Sequence, residues 1–371
     1  MGREPGPSMR SALVWAIILF ASAISAAPAR AQPSLKDTCL GIPQVTPEQR
    51  IKACSALIES GAQQQLGFAY QQRAFLRMQA GDHDGAISDF NDAIRVEPTA
   101  WSYIGRADVW QLANDRDRAI ADFSEAIRLE PGNVRAYSGR AANWVVKKEF
   151  DRAIADFDEV IRLQPKDASL RVDRGDVWQR KGDLDRAIAD YDAAIRLDPK
   201  SFQGLAARGL AWRDKGDLDR ALADFDAAIR VQPDWASTYL MRSDISYRKG
   251  NLDRALSDCG EAVRRERMTV LRTIYHQFCA QEHFFKGDFA AAADELKRSL
   301  ELRAGADAML WLFLARGRAG QDGAAELAAN AEKLEAKHWP SAVIAFYLGQ
   351  RPAEAILAAA ATPDERSDAQ F

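Results

Sequence analysis

Four side chains in the second half of the chain could form a disulfide or a zinc site. His276, Cys279 and His283 are separated by three and four residues, which places them on one face of a helix. Cys259 lies on the helix before, where it could reach Cys279. Thiolates and imidazoles are common ligands of tetrahedral zinc. We expect a disulfide between Cys259 and Cys279 and no cofactor, with zinc bound by all four side chains as the alternative.

Arginine and aspartate recur along the chain with one period, each arginine before a small residue and each aspartate before an aromatic residue or a cysteine. We expect ion pairs between neighbouring helices, because bidentate pairs are stronger than ordinary surface pairs. The alternative is that the arginines face a groove and hold carboxylates or glycan acids of a ligand. We call the set the arginine ladder: Arg73, Arg106, Arg140, Arg174, Arg208 and Arg242, with Asp89, Asp122, Asp156, Asp190, Asp224 and Asp258.

Sequence motifs of catalysis are missing. The chain has no HExxH, GxSxG, P-loop or GxGxxG motif, and it has only four histidines. Carboxylates are abundant, but charges repeated at a fixed period on helices form a solvated face or an ion-pair ladder. We therefore predict no catalytic residue and no enzyme activity. The histidines are His83, His276, His283 and His338.

Prolines divide the chain into units of 33 or 34 residues, a period typical of helical hairpin arrays. Each unit has a small residue in its first helix and, in its second helix, an alanine followed four residues later by an aromatic residue. These offsets keep the residues on one helical face, where small residues let two helices approach closely. The prolines are Pro98, Pro131, Pro165, Pro199 and Pro233.

The breaks between the two helices of a unit repeat as well. Glycine accepts the left-handed turn that ends a helix, and the following aspartate or asparagine caps the next helix. Gly182 with Asp183 shows this pattern, whereas the second and third units offer Asn114 and Lys148 in place of glycine. We expect asparagine to accept the left-handed conformation better than lysine.

These small, aromatic, glycine, alanine and proline positions resemble the tetratricopeptide repeat. The resemblance is clear over residues 65–267 and weaker over 268–304 and 306–333. It implies an all-α fold, a right-handed superhelical solenoid of about 6–8 helical hairpins that binds other proteins. The arginine ladder departs from the usual repeat, which has an aliphatic residue before the small one. The termini resemble those of exported alphaproteobacterial tetratricopeptide proteins, some of which are similar in outline to the NlpI-like envelope proteins.

The expected organisation follows from these patterns. Residues 1–31 form a signal peptide, 32–64 a disulfide-stapled leader and capping helix, and 65–267 six repeats. Residues 268–336 form two divergent hairpins, 337–361 a C-terminal helical module, and 362–371 a disordered tail.

The signal peptide is predicted from a basic start at Arg10, the apolar run 12–21 and the cleavage sequence ending at Ala31. We expect a periplasmic or secreted protein without an integral membrane span, because the apolar run is too short to cross a bilayer. Export into an oxidising space favours disulfides, and the even cysteine count allows a second one between Cys39 and Cys54.

Removal of residues 1–31 leaves 47 basic and 52 acidic residues, a net charge of −5. This acidity disfavours nucleic acid as the partner. We expect protein or peptide partners in the cell envelope and a non-catalytic scaffold or adaptor function. A glycan- or peptidoglycan-binding module, or a weak hydrolase that uses groove carboxylates, is the alternative.

Helical spacing predicts which first-helix side chains face a partner. A tryptophan stripe, three residues after the small position, is expected in the core, with ligand stacking as the alternative. It comprises Trp110, Trp144, Trp178 and Trp212. The predicted partner-binding groove comprises Trp101, Ile104, Asp108, Ser138, Val145, Val172, Asp176, Gln179, Leu210, Arg213, Leu240, Asp244 and Tyr247. This mixture of apolar, aromatic and acidic groups suits an extended peptide or a helix.

Overall fold

The computed structural model describes residues 34–42, 45–333 and 340–352. Their regular structure is entirely α-helical, in nineteen helices, as the repeat pattern predicted. The chain divides into two units, Met1–Pro131 and Gly132–Phe371, and each is described by itself. No helix in these described ranges is long and apolar enough to cross a membrane. The predicted signal peptide, residues 353–361 of the C-terminal module and the tail lie outside the described residues.

The first unit begins with two helices that precede the repeats and continues with two hairpins. Hairpin 1 is formed by α3 and α4, and hairpin 2 by α5 and α6. The helices are α1 (Leu35–Leu40), α2 (Pro47–Glu59), α3 (Gln63–Gln79), α4 (His83–Val96), α5 (Ala100–Leu112) and α6 (Arg116–Leu129).

The second unit contains hairpins 3 to 8, each a first and a second helix in succession from α7 to α18, and one further helix, α19. The helices are α7 (Val134–Val146), α8 (Phe150–Leu163), α9 (Ala168–Lys181), α10 (Leu184–Leu197), α11 (Phe202–Asp214), α12 (Leu218–Val231), α13 (Ala236–Arg248), α14 (Leu252–Arg265), α15 (Thr269–Lys286), α16 (Phe289–Leu302), α17 (Ala306–Arg318), α18 (Ala324–Ala331) and α19 (Pro340–Tyr347).

The turns inside the hairpins have the predicted chemistry. Gly182 has a φ of +89°, and the Asp183 side chain then accepts a hydrogen bond from the N–H of Arg186 in the first turn of α10. Asn114 and Lys148 take the same left-handed conformation, with φ of 60° and 61°. The turn is therefore set by its place in the repeat even where glycine is absent.

Within a hairpin, a small residue of the first helix faces the aromatic ring of the second. A Cβ atom built on Gly175 would lie 2.6 Å from the Tyr191 ring, and one built on Gly209 would lie 3.0 Å from the Phe225 ring. Both rings are fully buried. The small residue thus sets how closely the two helices approach.

The arginine ladder is a series of ion pairs that join the two helices of each of hairpins 1 to 6. In all six pairs, Nε lies 2.8–2.9 Å from Oδ2 and Nη2 lies 2.5–2.6 Å from Oδ1 of the aspartate. The aspartate side chains are 2–8% exposed and the arginines 15–24%. Both partners are engaged in the structure, which favours the structural interpretation over a ligand clamp.

Most ladder arginines also reach the second helix of the preceding hairpin. In the second unit, Nη1 of Arg174 lies 2.5 Å from Asp158, that of Arg208 lies 2.6 Å from Asp192, and that of Arg242 lies 2.7 Å from Asp226. In the first unit, the corresponding contact of Arg106 is to Asn91. One guanidinium therefore connects three helices, and it fixes the stacking of hairpins as well as their internal pairing.

A second series of pairs, between lysine and aspartate, connects successive hairpins of the second unit. Each lysine ends or follows a first helix, and its aspartate begins the second helix of the hairpin before. The aspartates are 80–90% exposed, so each pair contributes little stability by itself. The pairs are Lys181 with Asp151, Lys215 with Asp185, Lys249 with Asp219, and Lys286 with Asp253.

The ladder changes chemistry at hairpin 7. Cys279 occupies the arginine position and is bonded to Cys259, which occupies the aromatic position of hairpin 6. Glu295 occupies the aspartate position, and its Oε2 lies 2.6 Å from Nδ1 of His276. A covalent bond thus joins α14 to α15 where the ion pairs of the ladder end.

The leader of the first unit is held by the other disulfide. Cys39 in α1 is bonded to Cys54 in α2, and both residues are fully buried. Nε of Arg50 also donates to the carbonyl oxygen of Cys39 at 3.1 Å. A helix of six residues is too short to be stable alone, so the disulfide holds it against α2.

Replacing Asp224 by asparagine should lower the free energy of unfolding by about 2–4 kcal/mol, because the Arg208 guanidinium would lose its nearly buried carboxylate and keep only the more exposed Asp192. Glu159→Gln is the matched control, since it breaks an exposed pair with Arg162 and should cost less than about 0.5 kcal/mol. Urea denaturation followed by circular dichroism measures both. Equal losses in the two variants would contradict a structural ladder.

Replacing Cys39 and Cys54 together by serine should destabilise the leader by about 2–3 kcal/mol through the freed 15-residue loop. Hydrogen exchange should accelerate in α1 and α2 and stay unchanged in α5. Unchanged protection of α1 would show that packing alone holds the leader.

Candidate functional site

The predicted groove residues of the second unit lie on its first helices, and we call this surface the first-helix face. Seven predicted groove residues lie on this face; Asp176 is exposed and the other six are half-buried. The face therefore presents both polar and apolar groups to solvent. The retained residues are Asp176, Gln179, Leu210, Arg213, Leu240, Asp244 and Tyr247.

Two of the predicted groove residues do not reach the surface. Ile104 is 4% exposed and Val172 is 7% exposed. Val172 packs in a cluster with Ala187, Ile188 and Tyr191. Both residues lie three positions before the small residue of the first helix, and Leu240, at the same offset, is only half-buried, against the cluster that contains Tyr239 and Ala262. In the first unit, Trp101 is 40% exposed and its ring lies 6.0 Å from that of Phe90, and Asp108 is half-buried.

A polar network crosses the first-helix face at hairpin 4, where Tyr191 replaces the phenylalanine of four other hairpins. Its hydroxyl donates to Oδ1 of Asp176 at 2.7 Å and lies 3.0 Å from Oε1 of Gln179. Nε2 of Gln179 donates to Asp214 at 2.8 Å. Partial loss of hydration raises the pKa of Asp176, and burial raises that of Tyr191. The network joins α9, α10 and α11 into one polar surface.

Four aromatic side chains continue the same face beyond hairpin 5, and we call them the aromatic row: Tyr247, Phe284, Phe285 and Trp311. The Phe284 ring lies 5.2 Å from Trp311, while Phe285 lies 6.3 Å from Tyr247 and 6.4 Å from Trp311. Phe285 is 61% exposed in spite of these contacts. The row spans α13, α15 and α17, so rings from three hairpins form one apolar surface.

The tryptophan stripe is half-buried, and each of its rings is covered by an arginine from the start of the second helix. The guanidinium carbon lies 4.4–4.6 Å from the ring centroid in all four cases. The tryptophans thus lie at the edge of the core and not inside it, and the arginine covers one face of each ring. The pairs are Trp110 with Arg118, Trp144 with Arg152, Trp178 with Arg186, and Trp212 with Arg220.

A buried carboxyl group lies between hairpins 6 and 7. Glu282 is 4% exposed at a position that five other hairpins fill with an aliphatic residue or alanine, such as Ile245. Its Oε1 lies 2.7 Å from Oγ of Ser243, and its Oε2 has no hydrogen-bond partner among the residues that the structure describes. Burial raises the pKa of Glu282 to about 7. Near neutral pH the carboxyl group is therefore partly protonated, because burial favours its uncharged form.

The side chains of the zinc alternative have other partners in this structure. Cys259 and Cys279 are bonded to each other, and His276 is paired with Glu295. Cysteine binds zinc as a thiolate, so sulfur atoms that are bonded to each other do not fit as zinc ligands. Over the described ranges, no cluster of three or more histidine, cysteine or carboxylate side chains has the geometry of a metal site.

Comparison with known proteins supports the interpretation of the hairpins. Residues 145–202 and 206–268 match the sequence profile of the tetratricopeptide repeat. The chain is similar in structure to a tetratricopeptide repeat protein from Parabacteroides merdae, with 16% sequence identity over 68% of this chain and 99% of that chain and a TM-score of 0.52. The fold is that of a tetratricopeptide-repeat protein.

Two other solved tetratricopeptide structures are similar over smaller parts of the chain. YrrB, described as having an unusual peptide-binding site, is 24% identical over 48% of this chain and 92% of its own, with a TM-score of 0.39. MamA is 23% identical over 43% of this chain and 95% of its own, with a TM-score of 0.40. No curated protein matches the sequence.

Sequence reasoning missed three features of this tetratricopeptide array: the lysine–aspartate pairs, the buried Glu282 and the aromatic row. Alignment of the repeats contains a signal for Glu282 only. Counting from the small position, Glu282 falls where Val109 and Ile245 are buried, so it departs from the repeat. Phe285 falls where other hairpins have either a polar residue, such as Asp214, or an exposed apolar one, such as Leu112.

Replacing Glu282 by glutamine should remove a pH dependence of stability. The pKa of Glu282 is about 4.5 in the unfolded chain and about 7 in the folded one. Between these two pH values the folded chain therefore binds more protons than the unfolded chain. Wild-type stability should therefore fall as pH rises from 4.5 to 7, by about 3 kcal/mol. The variant should keep its stability at pH 8 in thermal denaturation. The control Glu301→Gln, at an exposed position, should show the same pH dependence of stability as the wild type. If the stability of Glu282→Gln fell with pH as much as that of the wild type, the pH dependence would not come from Glu282.

Proposed function

We propose that this protein is a non-catalytic scaffold of the bacterial envelope that binds partner proteins or peptides on the first-helix face of its second unit. The tetratricopeptide fold is one that serves protein–protein interaction. The observation that carries the proposal is the continuity of that face. Successive first helices present the polar network and then the aromatic row, while ladder pairs and disulfides occupy the packed sides of the hairpins.

An extended peptide or an amphipathic helix is the partner that suits this surface. Its polar groups, such as Gln179 and Arg213, offer donors and acceptors at one end. The aromatic row offers apolar area at the other. Tetratricopeptide arrays present such extended surfaces by stacking one hairpin per repeat.

Export is part of the proposal. Two disulfides persist only in an oxidising compartment, which agrees with the predicted signal peptide of residues 1–31. A periplasmic or secreted location would place the first-helix face among envelope proteins.

Affinity capture from an envelope extract, after chemical cross-linking, tests the function with two matched charge reversals. Arg213→Glu alters the first-helix face, whereas Arg230→Glu alters an exposed position of the second helix α12. We expect Arg213→Glu to weaken capture of specific proteins about tenfold, a loss of about 1.4 kcal/mol, and Arg230→Glu to leave it unchanged. Equal capture by both variants would refute this face, and retention on cell-wall sacculi alone would favour a glycan-binding function.

A further inference from the structure

A cleft of about 760 Å³ lies at the ends of hairpins 5, 6 and 7, on the side of the second unit where each hairpin is connected to the next. We call it the linker cleft. Its lining comes from the segments 232–237 and 264–268, which connect α12 to α13 and α14 to α15, and from Leu271 and Tyr275 of α15. None of the seven residues of the first-helix face lines it. Its volume lies within the range of about 300–1,000 Å³ that is usual for ligand sites.

The segment 264–268 departs from the other linkers of the repeat. Pro199 and Pro233 are 34 residues apart, and a further 34 residues lead to Arg267. Two residues earlier, Arg265 stands where the preceding linker has Val231. The corresponding cleft between the segments 166–169 and 197–203 is smaller, about 530 Å³, and no aromatic side chain lines it. The linker cleft thus combines added arginines with an aromatic ring.

Trp235 provides that ring as an exposed platform. It directly precedes α13 and is 50% exposed. The ring centroid lies 5.5 Å from that of Phe202 with an angle of 58° between the rings, so the start of α11 supports it on one side. A supported ring loses little side-chain entropy when a ligand covers it, and its electron-rich face attracts C–H groups. The platform therefore suits a ligand that presents a flat C–H surface.

Most charged groups of the linker cleft already have partners. Arg264 and Arg265 are both paired with Glu261. The carboxylate of Glu266 accepts a hydrogen bond from a backbone N–H at 2.8 Å and another from the hydroxyl of Tyr275. These contacts fix the shape of the cleft and leave few of its charges available to a ligand.

Two exposed side chains of opposite charge, Asp234 and Arg267, are available. Both line the cleft, and neither forms a hydrogen bond or an ion pair within the part of the chain that the structure describes. With Glu261 included, the three arginines and three carboxylates of this region leave no net charge. A charged ligand would be attracted by one of the two free groups and repelled by the other. Hydroxyl groups both donate and accept hydrogen bonds, so a neutral ligand rich in hydroxyls suits both.

We propose that the linker cleft binds a neutral pyranose residue of a glycan. The C–H face of the sugar ring covers Trp235, while its hydroxyl groups donate to Asp234 and accept from Arg267. The inference goes beyond the proposed function, because it assigns a second kind of ligand to a surface apart from the first-helix face. A scaffold with both surfaces would hold its partner proteins next to a glycan.

A glycan array of neutral and acidic oligosaccharides, probed with the mature chain beyond residue 31, tests the proposal. We expect neutral pyranose oligosaccharides to retain the protein. Trp235→Ala should weaken this retention about tenfold by removing the platform. Trp101→Ala is the matched control, since that tryptophan is also exposed but does not line the cleft, and it should leave retention unchanged. Circular dichroism verifies that both variants fold.

Calorimetric titration with one retained oligosaccharide then tests the polar contacts. Asp234→Asn and Arg267→Gln should each weaken binding about fivefold, because each removes a charged hydrogen-bonding group. Arg213→Glu, on the first-helix face, should leave the affinity for the oligosaccharide unchanged, so this inference and the proposed function can fail separately.

Three outcomes would overturn the inference. One is that no neutral oligosaccharide retains the protein. Another is equal retention of the wild type and Trp235→Ala. The third is retention by acidic oligosaccharides alone that Arg267→Gln abolishes and Trp235→Ala does not, because the cleft would then be an anion site.

Discussion

The half-buried pair between arginine and aspartate is the interaction on which the array depends. Each hairpin has few large side chains in its core, since the small residues that let its helices approach contribute little apolar area. The ladder adds a bidentate pair with the aspartate nearly buried, and most of its arginines reach on to the preceding hairpin. Hydrogen bonding to Asp190 raises the pKa of Arg174 further above its usual range, so this charge is permanent.

The ladder also explains why the first-helix face is free for another purpose. Its ion pairs lie between first and second helices, and the lysine–aspartate pairs lie at the hairpin ends. Neither series uses the outward positions of the first helices. Those positions vary from hairpin to hairpin: a polar network around Tyr191 gives way to aromatic rings around Phe285.

Hairpins 6 and 7 concentrate the departures from the repeat. There one ladder pair is absent: Cys279, at its arginine position, forms the disulfide with Cys259, and Glu295, at its aspartate position, pairs with His276. Glu282 also takes a core position that five other hairpins fill with an aliphatic residue or alanine. The covalent bond between α14 and α15 stabilises a junction that contains the buried carboxyl group of Glu282. The aromatic row begins at the same junction, which links the least regular packing of the array to its most exposed apolar surface.

The sequence by itself determined the local structure. Period, small residues, helix caps and prolines act within a few residues of one another, so they predicted the hairpins, the turns at Asn114 and Lys148 and the residues of the ladder. Their pairing remained an expectation, because a guanidinium and a carboxylate on two helices meet only after the helices pack. The same limit applied to the groove: helical spacing put Ile104 and Val172 on the same surface as the exposed Asp176, and it could not show that the first two turn into the core. The aromatic row could be found only from the tertiary structure, because its rings come from three hairpins and only the stacking of the hairpins brings Tyr247, Phe285 and Trp311 together.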